Sequence, residues 1–366
     1  MNILIITDAL TAPLYTPRVR FLNQRLLADG NSVVWFTEKA QDIPEKVRPS
    51  NLIEIPYYNN SHLDHLVKGL LSFLFDHKNR YFARHIKPAT KPDLIFVSSF
   101  HTFGLRAALH LSHLYKTPLH IDLRDIAEQT PANSYSRSFL SASAIYRNIN
   151  IRRRNRVLRY ASTITTVSHF HKNLLSRINP NTHIVYNGYD ATLFRAMPKT
   201  TSNKVNILYT GRWYGPDMQD PLPLFRTLEK ADFPYELNFY TSPDVHQQLQ
   251  EMAAKHNVQI HLHPYVSNEQ VPALLNTADV ALVLTSPSNK GVLTTKFFEA
   301  LGCGIPVLCV PSDEGELASL IRSTKAGLAS SNTEEILAFL RHPHAEVDNP
   351  EVFSRQHQTD ILCSLF

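Results

Sequence analysis

Short apolar runs that read as strands alternate with segments of helical periodicity along almost the whole chain. The alternation stops once and starts again. That pattern argues for an α/β protein with parallel sheets. In the first half the strand-like runs are Ile3–Thr7, Ser32–Thr37, Asn51–Ile55, Asp93–Ser98, Pro118–Asp122 and Thr163–Val167, with a short seventh at Ile184–Tyr186. Helices fit between them, as at Arg18–Ala28 and Thr102–Tyr115. Around 187–204 the chain turns polar and irregular, which makes this the best domain linker. The alternation resumes with Val205–Thr210, Glu236–Tyr240, Gln259–Leu262, Val280–Leu284 and Pro306–Val310, and a last helix is expected at about Pro350–Leu365. With 366 residues the chain is too long for one ordinary core. Two doubly wound domains in tandem are therefore expected, at 1–192 and 204–345, with the C-terminal helix 350–366 joining the first.

Several classes are set aside on composition and motif. No apolar run reaches the roughly 18 residues of a membrane-crossing helix. The N-terminus reads as a first strand and lacks the basic region and cleavage site of a signal peptide. Cys303, Cys309 and Cys363 are sparse and odd in number, which points to a reducing cytoplasm without a disulfide framework. The net charge of +5 permits an anionic partner, but no aromatic-interleaved basic groove suggests nucleic acid. Zinc spacing, a Walker loop, a Gly-x-Ser-x-Gly elbow and an Asp-x-Asp pair are all missing.

Ligands of doubly wound sheets bind at the carboxyl ends of strands, and the informative residues fall there. Thr294-Thr295-Lys296-Phe297-Phe298-Glu299-Ala300-Leu301-Gly302-Cys303-Gly304 reads as a helix start, an acid one turn in and a glycine stop, followed by a buried strand. A helix N-terminus suits a phosphate, and Glu299 could grip two neighbouring hydroxyls, as on a ribose. The combination suggests a nucleotide diphosphate. Gly211 and Arg212 follow the first strand of the second domain, where a glycine allows close approach and an arginine can fork onto phosphate. Lys290 and Lys296 flank the helix start and could neutralise a pyrophosphate; the plainer alternative is a surface lysine.

In the first domain, Asp122-Leu123-Arg124-Asp125 ends a strand. Arg124 could hold a phosphate or sugar hydroxyl, and Asp122 or Asp125 could orient it or accept a proton; the alternative is an internal salt bridge. The loop after the first strand lacks a dinucleotide signature, but Tyr15, Arg18 and Arg20 stand at its end, and basic residues opening a helix hint at an anion. His101 lies at another strand end, one of 18 histidines and so more often structural. Two segments bear on location. His62–Lys87 interleaves leucines and aromatics with Lys68, Lys78, Arg80, Arg84 and Lys87, and Arg147, Arg152, Arg153, Arg154, Arg156 and Arg159 form a second cluster. Each reads as one helix, which could lie on an anionic bilayer or be a domain helix with a solvated basic face.

On these motifs the chain resembles a GT-B glycosyltransferase, specifically the retaining family 4 enzymes of bacterial polysaccharide assembly. The resemblance is carried, in order, by Tyr15–Arg20 with Leu26–Val33, Asp122–Asp125, Thr165–Ser168, Tyr186–Asp190 with Phe194, Tyr209–Arg212, Asn276–Val280 and, most specifically, Thr295–Val307. It implies two Rossmann-like domains facing across a cleft, an acceptor domain first and a nucleotide-sugar donor domain second. It also implies transfer of a sugar, with retained configuration, from a UDP- or GDP-type donor, and the basic-apolar first domain points to a glycan or polyprenyl-linked glycan acceptor. Glu299 would bind the donor ribose. Gly211, Arg212 and the Thr294–Lys296 backbone would hold the diphosphate, and Arg124 and Asp125 would lie near the transferred sugar. Without Asp-x-Asp, the leaving diphosphate would be met by cations and helix N-termini, with no metal and no cofactor. The cysteine usage and the two basic segments, rather than the resemblance, set the expected location: the cytoplasm or the inner face of the plasma membrane, in peripheral contact with anionic lipid. A non-catalytic nucleotide-sugar-binding subunit and a non-hydrolysing epimerase are the rival readings. The chain departs from the family where Gly291 replaces the first acid of a Glu-x7-Glu pair and where Gly215, Pro216 and Asp217 replace a lysine after Gly-Arg. Lys290 or Lys296 is expected to substitute for that lysine.

Overall fold

A computed structural model describes residues 1–7, 17–39, 48–59, 61–99, 103–128, 144–198, 203–286 and 291–366. The chain divides into two units, residues 1–186 with 359–366, and residues 187–358.

The first unit contains β1 (Asn2–Thr7), α1 (Pro17–Ala28), β2 (Ser32–Glu38), β3 (Leu52–Ile55), α2 (His62–Phe75), α3 (His77–His85), β4 (Leu94–Ser99), α4 (Leu105–Tyr115), β5 (Leu119–Leu123), α5 (Ala144–Leu158), β6 (Thr163–Thr166), α6 (His169–Leu175) and β7 (Thr182–Ile184). The strands form one sheet in the order β3-β2-β1-β4-β5-β6-β7, parallel throughout. β4 and β5 are buried along their whole length. Such strands are covered on both faces, which is why they read as continuous apolar runs. One face packs Leu4, Ile6, Ile95 and Ile121 against Ala107, Ala108 and Leu111 of α4. The other packs Ile3, Ile5 and Phe96 against Val19 and Leu22 of α1 and against Leu362 near the C-terminus.

The second unit contains β8 (Val205–Thr210), α7 (Leu222–Leu228), β9 (Tyr235–Tyr240), α8 (His246–Ala254), β10 (His261–His263), α9 (Val271–Thr277), β11 (Val280–Leu284), α10 (Thr295–Cys303), β12 (Val307–Val310), α11 (Glu316–Ser323), β13 (Gly327–Ala329) and α12 (Thr333–Arg341). Its parallel sheet runs β10-β9-β8-β11-β12-β13. Strand order reverses between β1 and β4 in one unit and between β8 and β11 in the other. The carboxyl ends beside those reversals are where ligands of such sheets bind.

Several sequence expectations shift. The 62–87 segment is two helices, because Asp76 adopts a left-handed conformation with φ 54°. Its carboxylate accepts from Asn79 Nδ2 at 2.7 Å and Arg106 at 3.1 Å. The strand expected at Ile184–Tyr186 lies at Thr182–Ile184, and the carbonyls of Val185 and Tyr186 turn instead to Arg18. The strand expected at Gln259–Leu262 pairs with β9 only from His261 onward. β13, three small-to-medium residues opened by a glycine, carries no apolar run to signal it. The expected last helix begins as a 3-10 turn at Pro350–Phe353, is interrupted at Ser354 (ψ 147°) and continues as α13 (Arg355–Cys363).

Candidate active site

Gly211 directly follows β8 with φ +105°, a conformation that side chains rarely tolerate. A Cβ there would stand 3.1 Å from both Cε and Nζ of Lys296. The lysine amine is therefore seated on the Gly211 backbone, and it lies 5.1 Å from the centroid of the Tyr209 ring. The Gly211 amide donates to the carbonyl of Tyr240 at 2.9 Å, so this glycine contributes space and not its own N–H. The loop beyond it is braced from within. The Tyr209 hydroxyl donates to the Arg212 carbonyl at 2.8 Å, Trp213 Nε1 donates to the Gln219 carbonyl at 2.8 Å, and the Tyr214 amide donates to Gln219 Oε1 at 2.8 Å. Arg212 is exposed, with its guanidinium 5.2 Å from the Tyr214 ring centroid.

α10 starts at a proper cap. Thr294 is extended, and its hydroxyl accepts from the Lys296 amide at 3.4 Å. The first turn contains no acid to compete for the positive end of the helix. Burial pushes the Lys296 amine below the usual lysine value, and Glu299 opposes that shift. Glu299 is buried one turn later. Burial raises its carboxyl pKa, while Arg355, Lys296 and a hydrogen bond from Thr295 pull it back toward ionisation. The helix closes at Gly304, which takes φ +66°. Gly302 lies under Tyr189, whose Cδ2 would be 2.4 Å from a Cβ at that position. Thus the Asn187–Asp190 stretch packs directly on the helix that carries Glu299.

Arg355 is a residue that the motifs do not reveal. It is buried, and its amide donates to the Tyr189 carbonyl at 2.7 Å. An isolated parallel bridge between Tyr189 and Ser354 fixes the same junction. Nothing local in the sequence singles Arg355 out. Two cations, a helix N-terminus and one buried carboxylate thus belong to a single unit, an arrangement that can take a diphosphate and a vicinal diol together. Among the described residues no cluster of histidine, cysteine and acid has the makings of a metal site. Lys290 lies outside the described residues.

In the first unit the expected residues separate into different roles. The structure corrects the expectation that Arg18 binds an anion: it is buried, and both terminal nitrogens of its guanidinium are committed, while Nε has no partner among the described residues. One terminal nitrogen donates to Asp122 at 2.8 Å, and the other donates to the carbonyls of Val185 at 2.7 Å and Tyr186 at 2.9 Å. Asp122 is wholly buried and also accepts from Thr165 at 2.8 Å and Ser98 at 3.1 Å. Burial pushes the Asp122 carboxyl up, but Arg18, the Thr165 hydrogen bond and Arg124 outweigh it, and the net pKa lies below the ordinary carboxylate value. Asp122 is therefore an internal counter-ion rather than a proton acceptor. Arg124 and Asp125 lie half-buried just beyond β5, and Arg124 Nε is buried without a partner among the described residues. Arg20 is half-buried on α1. Tyr15 and His101 lie outside the described residues. Two arginines of the 147–159 cluster are structural: Arg154 forks onto Glu128 at 2.8 and 2.6 Å, and Arg153 donates to the carbonyls of Ser72 and Phe73 at 3.1 and 2.7 Å.

Comparison with known proteins follows this division. A family model described as Glycosyltransferase Family 4 matches residues 18–193, and one described as Glycosyl transferase-like matches residues 224–355. A comparison with curated proteins finds no match. Among solved structures, a sucrose-phosphate synthase from Thermosynechococcus elongatus is similar with TM-score 0.65 and 15% identity, over 100% of this chain and 95% of that one. The lipopolysaccharide outer core galactosyltransferase WaaB is similar with TM-score 0.67 and 13% identity, over 100% and 99%. Anabaena Alr3699/HepE, solved in complex with UDP and glucose, is similar with TM-score 0.61 and 14% identity, over 100% and 95%. Identities this low speak for the fold, while the two family models speak for the chemistry. With two parallel doubly wound units, and glycosyltransferase models matching each of them, the chain belongs to the GT-B glycosyltransferases.

Proposed function

We propose that this enzyme moves a sugar, with retention, from a UDP- or GDP-type donor to a glycan or polyprenyl-linked glycan in bacterial surface polysaccharide synthesis. The observation that carries the donor half is the Lys296 amine seated on Gly211 at the start of the helix that buries Glu299. Glu299 accepts the ribose hydroxyls. Lys296, Arg212 and the amides at Thr294–Lys296 meet the charge of the leaving diphosphate, with no metal or further cofactor in the scheme. Arg124 and Asp125 act at the transferred sugar. The bond from the anomeric carbon to the diphosphate oxygen breaks. The acceptor oxygen then bonds to the same face of that carbon, and its proton passes to the departing phosphate.

The UDP and glucose in the Anabaena structure support a UDP donor. Similarity to WaaB, a galactosyltransferase of the lipopolysaccharide outer core, supports a surface-glycan role. The basic clusters of the first unit support work at the inner face of the plasma membrane, in peripheral contact with anionic lipid. A thermal-shift screen of nucleotide sugars tests the donor, since a ligand of the folded state stabilises it by mass action. Product NMR then tests the anomeric outcome. An inverted product overturns the retaining scheme, and a nucleotide sugar epimerised without any acceptor replaces the reading altogether.

A further inference from the structure

α2 is built inside out. Leu63, Leu66, Val67, Leu70 and Leu74 share one helical face, and that face is exposed: Leu63 and Leu66 are 70% and 71% accessible, and Leu70 and Leu74 are 50% and 52%. No residue of the helix is buried. The polar positions, four apart, point at the protein instead. Asp64 pairs with Lys68 at 2.9 Å, Lys68 Nζ donates to the Tyr57 carbonyl at 2.6 Å, and the Ser72 hydroxyl lies 2.9 Å from that of Tyr57. Arg153 of α5 donates to two last-turn carbonyls of α2, those of Ser72 and Phe73. The helix is thus fastened by its polar face, and among the described residues nothing covers its apolar stripe.

Charge decides what that something is. Helices α2, α3 and α5 carry nine lysines and arginines against a single acid, Asp64. Among the described residues, Arg80, Arg84, Arg152 and Arg156 are exposed and form no ion pair. Two copies meeting through this face would bring like charges together, whereas an anionic lipid surface would attract them. Fourteen residues make a rod of about 21 Å, suited to lying in a bilayer interface and too short to cross it. No helix of the described residues is long and apolar enough to cross a membrane.

We propose that α2 is a bilayer-docking element, with its leucine stripe sunk into the interface of an anionic membrane and the arginines of α3 and α5 on the headgroups. The proposal rests on the peripheral-membrane reading above and deepens it by assigning the contact. The test uses the full chain with vesicles of phosphatidylcholine, with and without phosphatidylglycerol. The probes are the double variant Leu66→Glu with Leu70→Glu and the single variant Leu70→Trp. Both positions are exposed, so the circular dichroism and melting of the variants serve as the folding control. The native Trp35 and Trp213 are buried and give a fixed background.

The expected results are binding to phosphatidylglycerol vesicles that falls more than tenfold in the double variant, a blue shift of Leu70→Trp on those vesicles, and unchanged UDP binding. A double variant that binds vesicles as well as wild type overturns the α2 assignment and leaves the membrane reading standing. A wild-type protein that ignores anionic vesicles at low salt overturns both. A wild-type dimer that the double variant converts to monomer, without vesicle binding, overturns the proposal in favour of a self-interface.

Discussion

The amine of Lys296 rests on the backbone of Gly211, so closely that a methyl group on the glycine would stand 3.1 Å from it. A strand end and a helix start are thereby locked at one point, beside the reversal of strand order in the second unit. Gly211→Ala meets this contact and a φ of +105° together. We expect a stability loss of about 1–2 kcal/mol and roughly tenfold weaker donor binding. Differential scanning fluorimetry and a UDP titration check both, and a variant as stable as wild type contradicts the contact.

Lys296→Ala removes the cation proposed to meet the leaving diphosphate. Loss of one such group lowers turnover by about 10²–10³-fold in well-studied sites. A fall in kcat/KM of that order is expected, with KM for the acceptor unchanged. An effect below about threefold would assign the charge to another residue.

Glu299→Gln keeps the shape and removes the charge. Wild type should prefer UDP to 2′-deoxy-UDP, and the variant should lose most of that preference, because a site built to hold a hydroxyl rejects the analogue lacking it. Burial raises the Glu299 carboxyl pKa, so donor affinity should strengthen as pH rises through that raised value and weaken as pH falls. The variant should be flat over the same range. Equal pH dependence in both proteins would remove Glu299 from the donor site.

Arg18 and Asp122 form a buried pair, and removing one partner leaves a charge uncompensated. Arg18→Met should lower stability by about 3–5 kcal/mol, and Arg18→Lys should rescue little, since one ammonium cannot reproduce the fork onto Asp122, Val185 and Tyr186. Urea unfolding reads both. A mild loss accompanied by a large rise in acceptor KM would restore the anion-binding role.

His171 is fully buried beside Thr166, with Nδ1 3.0 Å from its hydroxyl. Burial lowers its pKa from the ordinary 6.5 to about 4. The unfolded chain binds that proton first, so the contribution is whole above pH 6.5 and is lost as pH falls toward 4. The loss is about 3 kcal/mol. His171→Gln should flatten this part of the stability curve; an unchanged curve would mean that the histidine is protonated in the folded state.

What the sequence revealed depended on how far apart the partners lie. The cap at Thr294, the acid at Glu299 and the stop at Gly304 are consecutive, so helix chemistry exposes them directly. Strand alternation is equally local, and β8 and β11 stand where the alternation places them. Arg18 resembles a free cation in the sequence because its partner Asp122 is 104 residues away. Arg355 escapes notice there because its link to Tyr189 and Glu299 is made only in the folded chain. The amphipathic pattern of α2 is plain in the sequence, but which face turns outward depends on Tyr57 receiving Lys68.

The proposed function stands or falls on the start of α10 as a nucleotide diphosphate site. Isothermal titration of the full chain with UDP and GDP, in the presence of a metal chelator, tests it most directly. Binding of one of them by wild type is expected, weakened at least tenfold in Lys296→Ala and in Glu299→Gln. Absence of binding to either nucleotide, or unchanged affinity in both variants, would exclude the start of α10 as that site.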